Sequence, residues 1–344
     1  MKTEENKSLK SLNTFGIDSR AKYFTEIRSV AEFTELVGDR RFPHEKKLVL
    51  GGGSNVLLTE DFDGWVVKNA IPGIAVVRET GTEVVVKTGA GEVWNDLVMW
   101  CIEKNYAGLE NLSLIPGLTG AAPLQNIGAY GAELQDTFYE LEAIEIRSLA
   151  PVKLSARDCA FGYRDSVFKH KFQGQFLITS VSFKLTKLSA TGVSYCFRTE
   201  YGDVRSTLDQ MKVRDLSLKA VSDAICQIRR TKLPDPKEIG NAGSFFKNPS
   251  IPQEQFNALM SKYPKMPQYP QPDGTVKVPA GWLVEQCGWK GKTVGRVGSH
   301  KTQALVLVNY GGATGREVLE FSGAISRSVK DQFGIELSPE VNIV

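Results

Sequence analysis

Residues 115–131 read "IPGLTGAAPLQNIGAYG". The stretch follows neither a helical nor a strand period, and it closes an irregular run that begins near residue 106. A loop of that length inside a compact domain is usually functional. Its glycines and alanines let backbone approach a flat or charged ligand closely, and Gln125 and Asn126 offer both donors and acceptors. The plain alternative is a flexible linker. Leu, Ile, Pro and Tyr residues interleave the glycines, which argues for an ordered cradle.

A second glycine-rich stretch lies upstream, in "KKLVLGGGSNVLL" at 46–58. It reads as a strand, a glycine turn and a second short apolar run. Three glycines can bare backbone N–H groups as an anion nest, or simply turn the chain. The dinucleotide fingerprint fails, because Val56 stands where its third glycine is required. No histidine or cysteine lies beside the turn to attach a flavin. "GWKGKT" at 288–293 resembles a phosphate loop, but Gln286 occupies the first glycine position and a helical pattern precedes it. It reads as a basic surface turn.

Periodic segments surround these turns. A turn at Asp63-Gly64 leads into "GWVVKNAI", and "GIAVVRETGTEVVVKTGAG" gives strand, turn, strand. Over 92–105 the spacing of Trp94, Leu97, Val98, Cys101 and Ile102 predicts a helix burying that stripe. "ELEAIEIRS" and "QFLITSVSFKLT" read as strands, 191–203 as an exposed loop, and "SLKAVSDAICQIRRTK" as a helix stopped by Pro234 and Pro236. The last third holds a Pro-rich connector at 263–273, a helix near "AGWLVEQCG" and a strand "TQALVLVN". A long helix then opens on a Thr314/Glu317 capping box and ends at Gly334, before a strand-like tail.

Bulk properties narrow the function classes. The chain is 42% hydrophobic and 24% charged, which is globular composition. A net charge of +3 gives no footprint for nucleic acid or an anionic membrane. The N-terminal residues carry no apolar signal region, and no run reaches the ~20 apolar residues of a membrane helix. Five scattered cysteines without a C-x-x-C support neither a disulfide framework nor a zinc site, and suggest a reducing cytoplasm. No metal site is expected.

Ser244, in "NAGSFFKNP" at 241–249, is displayed like a nucleophile. The chain has three histidines, His44, His170 and His300, and none is near it in sequence. From the residues alone, a hydroxyl capping local backbone is the commoner fate of a Gly-Ser pair.

Several stretches together resemble one family: "NTFGI" at 13–17, "GGGSNVLL" at 51–58, the loop 115–131, "FGYRDSVFK" at 161–169, "TKLPDP" at 231–236, "GNAGSFFKNP" at 240–249, "HKTQALVL" at 300–307 and "SPEV" at 338–341. In this order they resemble the UDP-N-acetylenolpyruvoylglucosamine reductases. "YGD" at 201–203 is similar to the branch that closes a tyrosine loop over its substrate. The resemblance implies an α+β protein with an FAD-binding fold of the vanillyl-alcohol-oxidase type in two parts, 1–70 and 71–214. It also implies a third α+β domain for substrate, 215–344.

The implied reaction is NADPH-dependent, FAD-mediated reduction of UDP-N-acetylglucosamine enolpyruvate to UDP-N-acetylmuramate for peptidoglycan precursors. By resemblance, FAD is held noncovalently by Gly51, Gly52, Gly53, Ser54 and Asn55. The second cradle adds Pro116, Gly117, Gly120, Gln125, Asn126, Gly128, Ala129 and Tyr130. Ser244 becomes the proton donor, a role that needs no histidine because the hydroxyl gives a proton and does not attack. Arg164 matches the arginine that polarises the enolpyruvyl carboxylate, and Glu340 the glutamate at the reacting carbon. Lys232, Asn248 and Tyr201 match residues meeting the UDP diphosphate, and Gln303 a further substrate contact. Tyr195 is the rival loop tyrosine. From the residues alone, Arg164 would pair with Asp165 and Glu340 would sit solvated near the C-terminus. Competing functions are an alcohol oxidase of the same superfamily, a UDP-sugar-binding protein without chemistry, and a Ser244–Lys247 hydrolase.

Overall fold

Trp65 and Val67 alternate along the strand Phe62–Asn69, and both are buried. That alternation builds the first sheet, ordered Thr3–Ser8, Arg20–Ile27, Phe62–Asn69, Lys46–Leu50. The computed structural model describes residues 1–344, and these strands lie mainly in a unit comprising residues 1–7, 21–52 and 63–231. Asp63-Gly64 does not turn the chain. Both residues lie inside the strand, where Gly64 pairs with Lys46.

The second sheet of this unit centres on the strand Phe176–Lys187. It pairs antiparallel with Phe138–Glu145 on one side and Glu83–Gly89 on the other. Every residue from Leu177 to Phe183 is buried, as expected of a central strand covered on both faces. The helix Trp94–Glu103 buries the anticipated stripe of Trp94, Leu97, Val98, Cys101 and Ile102. Ile144, Ile146 and Leu177 pack with Ile27, Phe33 and Trp65, so the two sheets share a core. This shared core makes one packing unit of the segments 1–70 and 71–214 wherever both lie within it.

The helix Leu218–Lys232 also packs in this unit, up to Thr231. Its buried stripe of Val221, Ala224, Ile225 and Ile228 meets Val204 and Leu208 of the helix Val204–Gln210. In the last third of the chain the packing division falls between Thr231 and Lys232.

The second unit comprises residues 8–20, 53–62 and 232–344. Its main sheet runs Gly240–Ser244, Val306–Asn309, Val297–Ser299, Thr293–Val294. The helix Gly315–Phe333 carries the anticipated capping box at Thr314 and Glu317 and the left-handed Gly334 stop. Phe15, Ile17 and Leu57, from distant segments, complete its core beside Phe245, Phe246 and Val318. Two local expectations change, and one helix is added. The connector contains the strand Tyr269–Pro270, which sits at the edge of a small sheet, where proline is tolerated. A helix, Gln253–Met260, precedes it. The strand "TQALVLVN" shortens to Val306–Asn309, because Val306 N–H bonds Gln303 O and closes a turn. The tail pairs parallel through Asn342–Ile343 with Val56–Leu57. Architecture is α+β throughout, and no helix is long and apolar enough to cross a membrane.

Candidate functional site

In the first unit the two glycine-rich stretches meet. A side chain on Gly52 would bring its Cβ within 3.0 Å of Gly117 Cα, and on Gly51 within 3.3 Å of Ala121 Cβ. Gly120 packs as closely on Ala90, and Gly120 N–H bonds Ala90 O at 2.9 Å. Glycine is thus required for backbone contact. The N–H groups of Gly52 and Gly117 find no acceptor within the protein. Bare donors on side-chain-free turns suit a diphosphate, so the residues present fit an FAD cradle. Pro116 and Gln125 lie on the same stretch. Gly53, Ser54 and Asn55 belong to the second unit. There Gly53 (φ 62°) would place a Cβ 1.9 Å from Leu12 O.

Asn126 ends a 3₁₀ turn in the left-handed region, fully buried. Its amide donates to Glu133 Oε2 and Gly162 O and accepts from Gln135 N–H. Both amide protons and one lone pair of its oxygen go to the protein, so Asn126 positions its neighbours. Beyond it, Gly128–Ala129 pairs with Ala132–Glu133 across Tyr130-Gly131, both at positive φ, as a two-residue hairpin of type I′ demands.

Arg164 reaches this hairpin. It sits at φ 53° in a tight turn in which Gly162 and Asp165 exchange backbone hydrogen bonds. A non-glycine residue held there stores strain of order ~1 kcal/mol or more, a common mark of functional turns. Its Nη2 donates to Gly128 O at 2.6 Å, and a Cβ on Gly128 would lie 2.9 Å from Nη1. The Asp165 carboxylate pairs with His170 Nε2 at 2.8 Å, so the ion pair that sequence offered Arg164 goes elsewhere.

Tyr201 touches the hairpin tip, its Cβ 3.3 Å from where a side chain on Gly131 would begin. It is 61% exposed. Tyr195 is half-buried, donates its hydroxyl to Glu110 Oε1 at 2.5 Å and packs edge-on against Phe197. Burial pushes that phenol well above its usual range. Only Tyr201 is presented to solvent. Asn111 ties the two segments, donating to Tyr130 O and Arg198 O.

In the second unit, Ser244 ends the strand Gly240–Ser244 opposite Val306, past a register shift that begins after Asn241. Gly243 (φ 72°) bonds the Asn241 side chain, and such irregularities re-aim a strand's side chains. Phe245 and Phe246 anchor the following residues in the core. Glu340 N–H donates to Phe245 O at 2.7 Å, and Asn55 Nδ2 to Glu340 O. The fold thus brings Ser244, Glu340 and Asn55 to one place. Gln303 lies on the turn leading to Leu305, whose carbonyl accepts from Phe245 N–H. Asn248 Oδ1 accepts from Ala280 N–H, which leaves its NH₂ available to an outside acceptor. The Lys232 carbonyl accepts from Thr302 Oγ1.

Sequence reading passed over Arg229. Its Nε donates to Leu114 O, and burial and the nearby Arg164 charge lower its pKa. In "RRTK" it looks like any helical arginine; only tertiary packing brings it to Leu114 and near Arg164.

Residues 235–344 match the family model described as UDP-N-acetylenolpyruvoylglucosamine reductase, C-terminal domain, and residues 21–146 match an FAD binding domain. The chain is 48% identical over 344 residues to a UDP-N-acetylenolpyruvoylglucosamine reductase of Amoebophilus asiaticus, covering 100% of both chains. It is 46% identical to one of Flavobacterium johnsoniae, again over 100% of both. A Burkholderia ambifaria reductase is 50% identical over 95% of this chain and 93% of its own. The crystal structure of UDP-N-acetylenolpyruvylglucosamine reductase from Thermus caldophilus shares the fold, with a TM-score of 0.65 at 21% identity over 99% and 98% of the two chains.

Proposed function

The chain belongs to the UDP-N-acetylenolpyruvoylglucosamine reductase family, and from that premise we propose how its own residues carry out the reaction. It is an FAD-dependent oxidoreductase of peptidoglycan precursor synthesis, with NADPH as co-substrate. Its substrate is UDP-N-acetylglucosamine enolpyruvate, reduced to UDP-N-acetylmuramate. Bound FAD supplies hydride transfer from NADPH to the vinyl carbon.

The protein's task is to manage the charge and the proton. Arg164 holds the enolpyruvyl carboxylate and stabilises the enolate that develops beside it, as a fixed cation placed in advance. Its bond to Gly128 O and its constrained turn support this, because a group that need not reorganise stabilises charge best. Ser244 delivers the proton to the carbanionic carbon, and Glu340 supports it there. Tyr201, Lys232 and Asn248 grip the diphosphate, and Gln303 gives a further contact. Gly51, Gly52, Gly53, Ser54 and Asn55 hold FAD with the 116–130 residues. Asn126 does so indirectly, by holding Gly162 and Glu133.

The observation that carries the proposal is the bond from Glu340 N–H to Phe245 O, which sets the backbone of Glu340 beside the residue that follows Ser244; the proposal assigns the hydroxyl and the carboxyl of these two residues to proton delivery. The test begins with the absorption spectrum of the purified protein. A flavin spectrum is expected, with all flavin released on denaturation. Under anaerobic conditions NADPH should bleach it and the enolpyruvyl sugar should restore it. A flavin that NADPH does not bleach, or that the sugar does not reoxidise, would overturn the assignment.

A further inference from the structure

Lys68 stands near the end of the strand Phe62–Asn69, opposite Leu50 on the parallel strand Lys46–Leu50. Both strands run in the same direction and end at the same edge. Strand alternation turns Lys68 away from the face that buries Trp65 and Val67. At the strand edge its ammonium donates to Gly51 O, the first carbonyl of the glycine turn. The next residue, Gly52, backs onto Gly117, and the N–H groups of both lack a protein acceptor.

An ammonium has three donors, and Lys68 spends one of them inside the protein. It has no ion pair; Glu26, the carboxylate whose field reaches it, pairs with Arg28 instead. Lys68 is half-buried, and burial lowers its pKa. A half-buried cation without a counter-ion is costly, and a bound anion would relieve that cost. A lysine needed only to brace Gly51 O would do the same work with a neutral donor.

We infer that Lys68 is the cationic contact for the diphosphate of bound FAD, completing a site that Gly52 and Gly117 supply with backbone donors. The inference rests on the FAD reading above and adds the charge that the two glycine stretches lack. Lysine serves here as a point charge, as in other phosphate sites.

The test uses the apoprotein, with binding followed by quenching of flavin fluorescence. FAD and riboflavin are titrated in parallel, because riboflavin has the ring system without the diphosphate. Lys68→Met should weaken FAD binding about 10- to 100-fold, the value of a charge-assisted hydrogen bond, and leave riboflavin unchanged. Lys68→Arg should retain most FAD affinity. The salt dependence of FAD binding should flatten in the methionine variant. Equal losses for FAD and riboflavin would show that Lys68 only shapes the turn, and unchanged FAD binding would remove it from the site. If Lys68→Met does not fold, as judged by circular dichroism, Lys68→Gln and the wild-type salt dependence decide; affinity indifferent to both overturns the inference. If the wild-type apoprotein binds neither flavin, the FAD reading fails first and Lys68 falls with it. Tight FAD binding by wild type and variant alike sinks Lys68 alone.

Discussion

Ser244 lies on the irregular end of its strand, one residue before the carbonyl that receives the Glu340 amide. On the proposed proton-donor role, Ser244 acts in only one of the two halves of the reaction. In Ser244→Ala, NADPH should bleach the flavin at close to the wild-type rate. Reoxidation by the enolpyruvyl sugar should slow by ~10²–10⁴, the contribution of a positioned acid. Ser244→Cys should recover part of the rate. Stopped-flow absorbance, one half-reaction at a time, reads both, and equal slowing of the two halves would exclude a proton-donor role. The loop tyrosines divide in the same way. Tyr201 is exposed beside Gly131, whereas the Tyr195 hydroxyl is committed to Glu110. Tyr201→Phe should raise KM for the sugar with little change in bleaching by NADPH. Tyr195→Phe should instead lower thermal stability, since it leaves a buried carboxylate short of a donor. The opposite pattern in titration and melting data would return the diphosphate contact to Tyr195.

Among the elements, the helix Gly315–Phe333 shows how context overrides propensity. It contains two glycines with opposite surroundings. A Cβ on Gly315 would lie 1.8 Å from Leu58 O, a backbone atom that cannot swing aside. A Cβ on Gly323 meets only the Arg327 guanidinium, at 3.4 Å. Alanine exceeds glycine in helix propensity by ~1 kcal/mol. Gly323→Ala should therefore stabilise the flavin-free protein by ~0.5–1 kcal/mol. Gly315→Ala should destabilise it by ~2 kcal/mol or more, as overpacking against rigid backbone does. Urea midpoints of the two variants check both signs, and a stabilised Gly315→Ala would mean that the helix start shifts freely off residue 58.

At the scale of the molecule, neither packing unit is one continuous stretch of chain. The second unit takes Phe15, Ile17 and Leu57 from residues 8–20 and 53–62 into the core around Phe245 and Val318. A fragment 215–344 would lack all three and would also expose the Val221, Ile225 and Ile228 stripe, whose partners Val204 and Leu208 lie outside it. Such a fragment, expressed alone, should show no cooperative thermal transition and poor amide dispersion in its NMR spectrum. A sharp transition at a protein-like temperature would mean that the early segments are dispensable. The cost is large: each buried aliphatic or aromatic side chain lost from a core removes ~2–5 kcal/mol, against a total stability of ~5–15 kcal/mol.

The segments legible in the sequence are those whose structure is coded locally. The stripe of 94–102, the capping box at Thr314 and Glu317, the Gly334 stop and the long apolar strand to Lys187 needed only neighbouring residues, and each formed. The order of the motifs, from "NTFGI" to "SPEV", was enough to indicate the family and with it FAD. Other features depended on which distant surfaces meet. Asp63-Gly64 has the composition of a turn, but pairing with Lys46–Leu50 draws it into a strand. Pro234 and Pro236 mark where the helix Leu218–Lys232 stops, but say nothing of where its apolar stripe goes. Asn126 shows in the sequence only as an amide, and nothing nearby in the chain says that its protons go to Glu133 and Gly162 and that its oxygen accepts from Gln135 N–H. Lys68 looks like an ordinary strand lysine until the parallel pairing carries it to Gly51. Periodicity and capping are properties of a few adjacent residues, so the sequence determines them alone; burial, charge pairing and spare hydrogen-bonding capacity belong to partners far along the chain, and only the tertiary structure brings those together.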